Sequence, residues 1–156
     1  MRSEATIRDA HPADEAAWRA LWAAYCAFYE TSIAEDVTRT TWARILDSAQ
    51  PVHALVAVGA DGHVVGFSNY VLHPYTWGSR PACYLEDLFV APGARRQGVG
   101  AALIGELVAR GERHGWGRIY WHTREGNATA RRVYDRLATA DDFVRYVRRI
   151  AEADRA

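Results

Sequence analysis

The sequence predicts a single α/β domain, and three patterns predict it. A helical stripe of aromatic and aliphatic residues fills positions 18–29. Two strand-like runs follow at 53–58 and 64–72, and residues 86–103 then pass from an apolar strand through a Pro/Gly turn into an Ala/Leu-rich helix. At 156 residues the chain has the length of one domain, 1–156, and its 49% hydrophobic content can build a substantial core. No apolar run approaches the span of a bilayer and no secretory leader is recognisable, so a soluble, cytoplasmic protein is expected. Nineteen basic residues balance nineteen acidic ones, which argues against a surface dedicated to nucleic acid.

Taken in order, residues 6–8 form a candidate first strand. Pro12 with Asp14 and Glu15 then opens a helix, since proline suits the first helical turn and acidic groups complement the dipole there. Within it Trp18, Leu21, Trp22, Tyr25 and Tyr29 recur at spacings of three and four, which reads as a core-facing stripe. A second, shorter helix follows Val37-Thr38, with Trp42, Ile45 and Leu46 facing inward. The two strand-like runs meet around Asp61-Gly62 and form a hairpin. Residues 83–90 read as a strand, 98–114 as a helix, 118–123 as a buried strand and 142–150 as a last strand, with the remaining tail expected to fray. Cys26 and Cys83 lie in apolar surroundings without a CxxC spacing, so they read as buried, reduced thiols. The six histidines are scattered without a metal-ligand spacing, and no metal is expected.

The chemistry concentrates at Arg95-Arg96-Gln97-Gly98-Val99-Gly100, where the chain enters the long helix. The first N–H groups of a helix have no intrahelical partners and carry the positive end of the dipole, which makes such a start a site for anions. Gly98 and Gly100 carry no Cβ, so a diphosphate can approach the main chain, while Arg95 and Arg96 add forked donors. A P-loop is excluded because it needs Gly-Lys-Ser/Thr and this chain contains no lysine. A dinucleotide fingerprint is excluded too: Leu103 stands where a small residue is required, and the next strand offers no acid around Tyr120-Trp121-His122-Thr123.

The spacing that remains, RxxGxG over Arg95, Gly98 and Gly100, resembles the pyrophosphate-binding motif of the GNAT superfamily of N-acyltransferases. The resemblance spans roughly residues 5–147. It implies a mixed, mostly antiparallel sheet with a splayed strand pair and flanking helices, and acetyl-CoA as co-substrate. It assigns Arg95, Arg96, Gln97, Gly98, Val99, Gly100 and Ala101 to the diphosphate, and the main chain of Leu88, Phe89 and Val90 to pantetheine. Asn127-Ala128-Thr129-Ala130-Arg131-Arg132-Val133-Tyr134 is similar to the family's NxxAxxxY segment, which implies Asn127 and Ala130 near pantetheine and Tyr134 near the sulfur. Val65-Gly66-Phe67, Tyr70, Trp77 and Tyr84-Leu85-Glu86-Asp87 resemble, in order and spacing, the spermidine/spermine N-acetyltransferase branch. Leu137-Ala138-Thr139 departs from the turn usual after the tyrosine in that family.

Acyl transfer to an amine requires the neutral amine, yet an alkylammonium of pKa near ~10.4 is less than about a thousandth deprotonated at pH 7. A base is therefore needed, and Glu86 at the edge of the splayed strand is the candidate, directly or through water. A strand N–H near Leu88 can serve the charge that grows on the carbonyl oxygen, and Tyr134 can protonate the departing thiolate. Read without the resemblance, Glu86 is a surface carboxylate and Tyr134 a core aromatic. Tyr29, Glu30, Trp77, Asp87 and Asp142 are the candidate acceptor-binding set, since carboxylates and aromatic faces suit a polyamine, a diamine or a lysine-like amine. A protein acceptor, such as a histone-like lysine or an α-amino terminus, and a non-catalytic acyl-CoA-binding module are the alternatives. The resemblance also implies a homodimer through the C-terminal strands, for which Phe143, Tyr146 and Ile150 offer an apolar surface.

Overall fold

The computed structural model describes residues 4–150. Five strands form one sheet in sequence order: β1 (Thr6–Asp9), β2 (Val52–Val58), β3 (Val64–His73), β4 (Ala82–Val90) and β5 (Arg118–Tyr120). β1 to β4 are antiparallel neighbours, whereas β5 returns parallel to β4 after a helical crossover. Helices α1 (Glu15–Phe28) and α2 (Glu35–Leu46) cover one face, α3 (Val99–His114) covers the other, and the short α4 (Ala128–Tyr134) follows β5.

Each face has its own core because neighbouring strand residues point to opposite sides. On β2, Leu55 and Ala57 pack under α3 with Leu103, Ile104 and Leu107, while Val56 packs with Trp18, Leu21 and Trp42 from α1 and α2. Trp18 is fully buried, stacked on Trp22 at 5.4 Å and tilted against Trp42 at 5.1 Å. The aromatic stripe expected of the first helix is therefore the wall of one core.

β4 breaks the alternation. Leu85 lies in the α3 core and Phe89 in the α1/α2 core, although an even separation along a regular strand puts two residues on one face. The register accounts for it: Asn69 pairs with Asp87 and Tyr70 with Leu85, so Glu86 has no partner on β3 and is the extra residue of a β-bulge. A second irregularity lies beyond it. β5 pairs with β4 only from Ala82 to Tyr84, opposite Arg118 to Tyr120, and from Leu85 onward that edge of β4 has no neighbouring strand. The splayed pair expected from the resemblance is this opening.

Three elements differ from expectation. α2 starts at Glu35, ahead of Val37, because Glu35 and Asp36 favour the first turn; Leu46, expected to face inward, is exposed at its last position. β5 stops at Tyr120, three residues early, where the splay removes its partner. The expected last strand at 142–150 is absent: these residues are exposed and carry no regular structure. Apolar content favours a strand, but a strand also needs an edge to pair with, and this segment lies along none in its own chain. The tail expected to fray falls on 151–156, outside the described residues.

Candidate active site

The loop between β4 and α3 is built by its backbone. Pro92–Ala94 form one 3-10 turn, the Arg95 Nε donates to the Val90 carbonyl at 2.9 Å, and its guanidinium stacks on Phe89. Arg96 (φ 65°) and Gly98 (φ 77°) both take left-handed conformations, a costly one for arginine and an easy one for glycine. This turns the chain so that Gly98 caps α3, whose first closing bond runs from Ala102 N–H to the Gly98 carbonyl. The N–H groups of Val99, Gly100 and Ala101 are thus left without partners in the helix. A Cβ at Gly100 would meet only Leu88 and Val90, each at 4.0 Å, so packing within the chain does not demand glycine there. The bare position suits a ligand that comes close to the main chain.

Beyond the splay lies an open cleft of about 920 Å³, lined from every side. Tyr25 comes from α1 and Tyr29 from its C-terminal cap, Tyr84 and Glu86 from β4, Tyr134 from α4, and Asp142 and Arg145 from the extended C-terminal segment. The far wall is aromatic. Tyr84 stacks on Tyr120 at 5.0 Å, and His122 lies edge-on to both and within 3.3 Å of the Tyr84 hydroxyl. Arg124 lies over the Tyr29 ring at 5.2 Å and, with Arg131 and Arg145, makes no ion pair among the described residues.

The proton-handling groups are tuned by burial. The Glu86 carboxyl is held above the ordinary carboxylate range, chiefly because the surrounding protein displaces water and secondarily because Asp87 is nearby. Burial pushes the Tyr134 hydroxyl up to about 12, so it is a protonated donor at neutral pH; its ring packs edge-on against Trp121. Cys83 is buried and its thiol is likewise pushed up to about 12, which makes it unreactive.

Of the expected acceptor set, Tyr29 and Asp142 line the cleft with Glu86, whereas Glu30 and Trp77 are not among its lining residues. Trp77 is 83% exposed, in the turn between β3 and β4. Asp87 is not among the cleft-lining residues; its half-buried carboxylate accepts from the Asn69 amide beside Tyr25. Asn127 accepts from the Ala130 N–H as the cap of α4 and donates to Thr123 Oγ1 at 3.1 Å, which leaves it at the entrance of that helix. Sequence reasoning missed the second role of Tyr25, whose position in the helical stripe signals core alone, and the His122 and Arg124 positions, for which no spacing existed.

A sheet parted beside a glycine-capped helix start, with a carboxylate and a phenol facing one cleft, defines an acyl-CoA-dependent acyltransferase. The comparison with known families agrees. The model of the acetyltransferase (GNAT) family matches residues 15–138, and the chain belongs to that family as an N-acetyltransferase that uses acetyl-CoA as co-substrate. The chain is 33% identical over 143 residues to D-amino-acid N-acetyltransferase HPA3 of Saccharomyces cerevisiae, covering 91% of this chain and 89% of that protein. It is 34% identical over 120 residues to the aminoglycoside N(6')-acetyltransferase type 1 of Klebsiella aerogenes, covering 71% and 74%. Among solved structures it is similar to AAC(6')-Iy in complex with the bisubstrate analogue CoA-S-monomethyl-acetylneamine, with a TM-score of 0.80 and 25% identity over 96% of this chain and 100% of that one.

Since residue 100 has room for a Cβ but faces the unpaired N–H groups, Gly100→Val is expected to fold normally and to lose its response to acetyl-CoA. In the unaltered protein a ligand at a hundred times its dissociation constant adds about 2.7 kcal/mol, several degrees in a thermal melt. A variant that keeps the full shift would show that the α3 start does not hold the diphosphate.

Proposed function

We propose that the chain acetylates the primary amine of a small acceptor by direct attack, with Glu86 receiving the amine proton and Tyr134 protonating the thiolate. The observation that carries this reading is that both groups face one cleft, at the place where β4 loses β5 and its main chain is open to pantetheine. Leu88, Phe89 and Val90 supply that main chain, and the 95–101 loop holds the diphosphate. Glu86, with proton affinity raised by its surroundings, gains driving force for accepting a proton. Tyr134 keeps its proton until charge develops on sulfur.

The acceptor is the finer question. The polyamine-branch resemblance favours a polycation, and Tyr29, Glu86 and Asp142 are the members of the expected set that support it. Arg124, Arg131 and Arg145 stand in the same cleft among Glu86, Glu125, Asp135, Asp141 and Asp142, a lining of mixed charge that suits an acceptor carrying anionic or hydroxyl groups besides its amine. The named activities of the relatives, toward D-amino acids and aminoglycosides, fit a small amine of mixed polarity. Two free, buried cysteines are compatible with a reducing, cytoplasmic setting.

A homodimer belongs to this reading. Phe143, Val144, Tyr146, Val147 and Ile150 are all exposed, and a groove of about 400 Å³ lined by Trp116, Ile119 and Trp121 runs beside β5, whose outer edge carries no strand among the described residues. An apolar extended segment and an open edge in each copy suit a reciprocal contact. Light scattering is expected to give twice the chain mass; a monomer at all concentrations would remove the dimer.

Thiol release with acetyl-CoA across amino acids, aminoglycosides and polyamines tests the acceptor. Turnover is expected to be higher with amines bearing a carboxylate or several hydroxyls than with spermidine, and the reverse order would restore the polyamine. For the mechanism, Tyr134→Phe should lower kcat roughly ten- to ten-thousandfold with acetyl-CoA affinity kept. Glu86→Gln should depress kcat/KM most at neutral pH and recover as rising pH supplies more neutral amine. A loss that does not vary with pH would mean that Glu86 only binds the cation.

A further inference from the structure

The bulge that carries Glu86 sits on a buried polar chain that the reaction does not use. The Trp18 Nε1 donates to Asn69 Oδ1 at 3.2 Å, and the Asn69 Nδ2 donates to Asp87 Oδ2 at 3.0 Å. The Tyr25 hydroxyl lies close to Asp87 as well, and burial together with the carboxylate beside it holds the phenol protonated. Trp18 and Asn69 are buried, and the Asp87 side chain is enclosed between β3 and α1, away from the cleft wall. The partners are complementary: the indole can only donate, the amide turns its oxygen to the indole and its nitrogen to the carboxylate, and the carboxylate accepts from that nitrogen.

Its location is what matters. Asn69 and Asp87 are cross-strand partners at the last regular pair before the bulge, and the next pair, Tyr70 with Leu85, has already skipped Glu86. A strand can slide its bulge by one residue unless something fixes the register, and such a slide would carry Glu86 to the other face. We propose that Asn69 and Asp87 are positioning residues: their side-chain bond, anchored to α1 through Trp18 and Tyr25, locks the bulge at Glu86 and so presents that carboxylate to the acceptor. This rests on the reading of Glu86 as proton acceptor.

The lock also sets the field at Glu86. On its own strand Glu86 faces Tyr84 and the Asp87 carboxylate; α1 brings Tyr25 and Tyr29, α4 brings Tyr134, and the residues after β5 bring His122 and Arg124. The C-terminal segment adds Asp142 and Arg145. Of these, Asp87 is the charge fixed next to Glu86 by a buried bond, so its removal favours ionised Glu86.

The test is a charge-exchanged pair, Asn69→Asp with Asp87→Asn. Asn69→Asp alone puts two carboxylates in contact and is expected to lower kcat/KM for the amine by about tenfold or more, with the acetyl-CoA melting shift retained. The double variant rebuilds a carboxylate–amide bond with its poles reversed, since Trp18 can donate to an aspartate and Tyr25 to an amide oxygen, and should recover to within about threefold of the parent. Asp87→Asn alone keeps the bond geometry and should move the acid limb of the kcat/KM profile to lower pH. If the double variant folds and stays as impaired as Asn69→Asp, or if Asp87→Asn leaves the acid limb in place, the lock is wrong. Should Asn69→Asp fail to fold, the Asp87→Asn profile and the double variant still decide. Glu86→Gln run alongside separates the two readings: unchanged turnover there removes the base itself, whereas an impaired Glu86→Gln with an unaffected exchange series removes only the lock.

Discussion

The insertion of one residue into β4 governs much of this molecule. A regular β4 would send Leu85, Asp87 and Phe89 to one face; with Glu86 unpaired, Leu85 fills the core under α3 while Phe89 fills the core under α1 and α2. Both cores are thus closed by the same strand, with Asp87 on the α1/α2 side bonded to Asn69, and the residue left over is a carboxylate that needs water on at least one side. β4 is also where β5 departs. The strand that joins the two cores therefore has one free edge, beside the bulge and directly ahead of the loop that caps α3.

Burial is distributed so that the cleft gains chemistry from it. Tyr134 is held protonated by the apolar contacts around it, and Glu86 is raised toward neutrality by partial loss of water, while the nearby Cys83 thiol is made inert by the same cause acting more completely. Ion pairs, by contrast, serve the scaffold. Arg8 with Asp14 ties β1 to the turn before α1, and Arg110 with Asp9 ties α3 to β1, each at 2.7 Å and far from the cleft.

The elements carried by local pattern were legible in the sequence: the helical stripe from Trp18, the hairpin around Gly62, and the strand, turn and glycine-capped helix of 86–103. Gly98 takes the left-handed conformation its residue type permits. What depends on pairing was not legible. The bulge is a property of the register between β3 and β4, not of either strand alone, so the sequence could nominate Glu86 but could not show why it faces the cleft. Tyr25 was invisible for a related reason: one ring belongs to the core stripe while its hydroxyl reaches Asp87 from another element. The 142–150 segment has strand-like content and no edge in its own chain, and Glu30, Trp77 and Asp87 share charge or aromaticity with the cleft without sharing its wall.

The cations around the cleft are all guanidiniums, since the chain has no lysine. A guanidinium stays protonated at any pH the protein survives and offers no lone pair to an activated acyl group. Arg124, Arg131 and Arg145 can therefore surround a thioester and draw anionic groups toward it without ever competing with the acceptor as nucleophiles. With the Cys83 thiol buried and locked in its protonated form, the walls present neither an amine nor a thiolate that could be acylated. The cleft's fixed cations are thus groups that hold an anionic donor without being acylated by it.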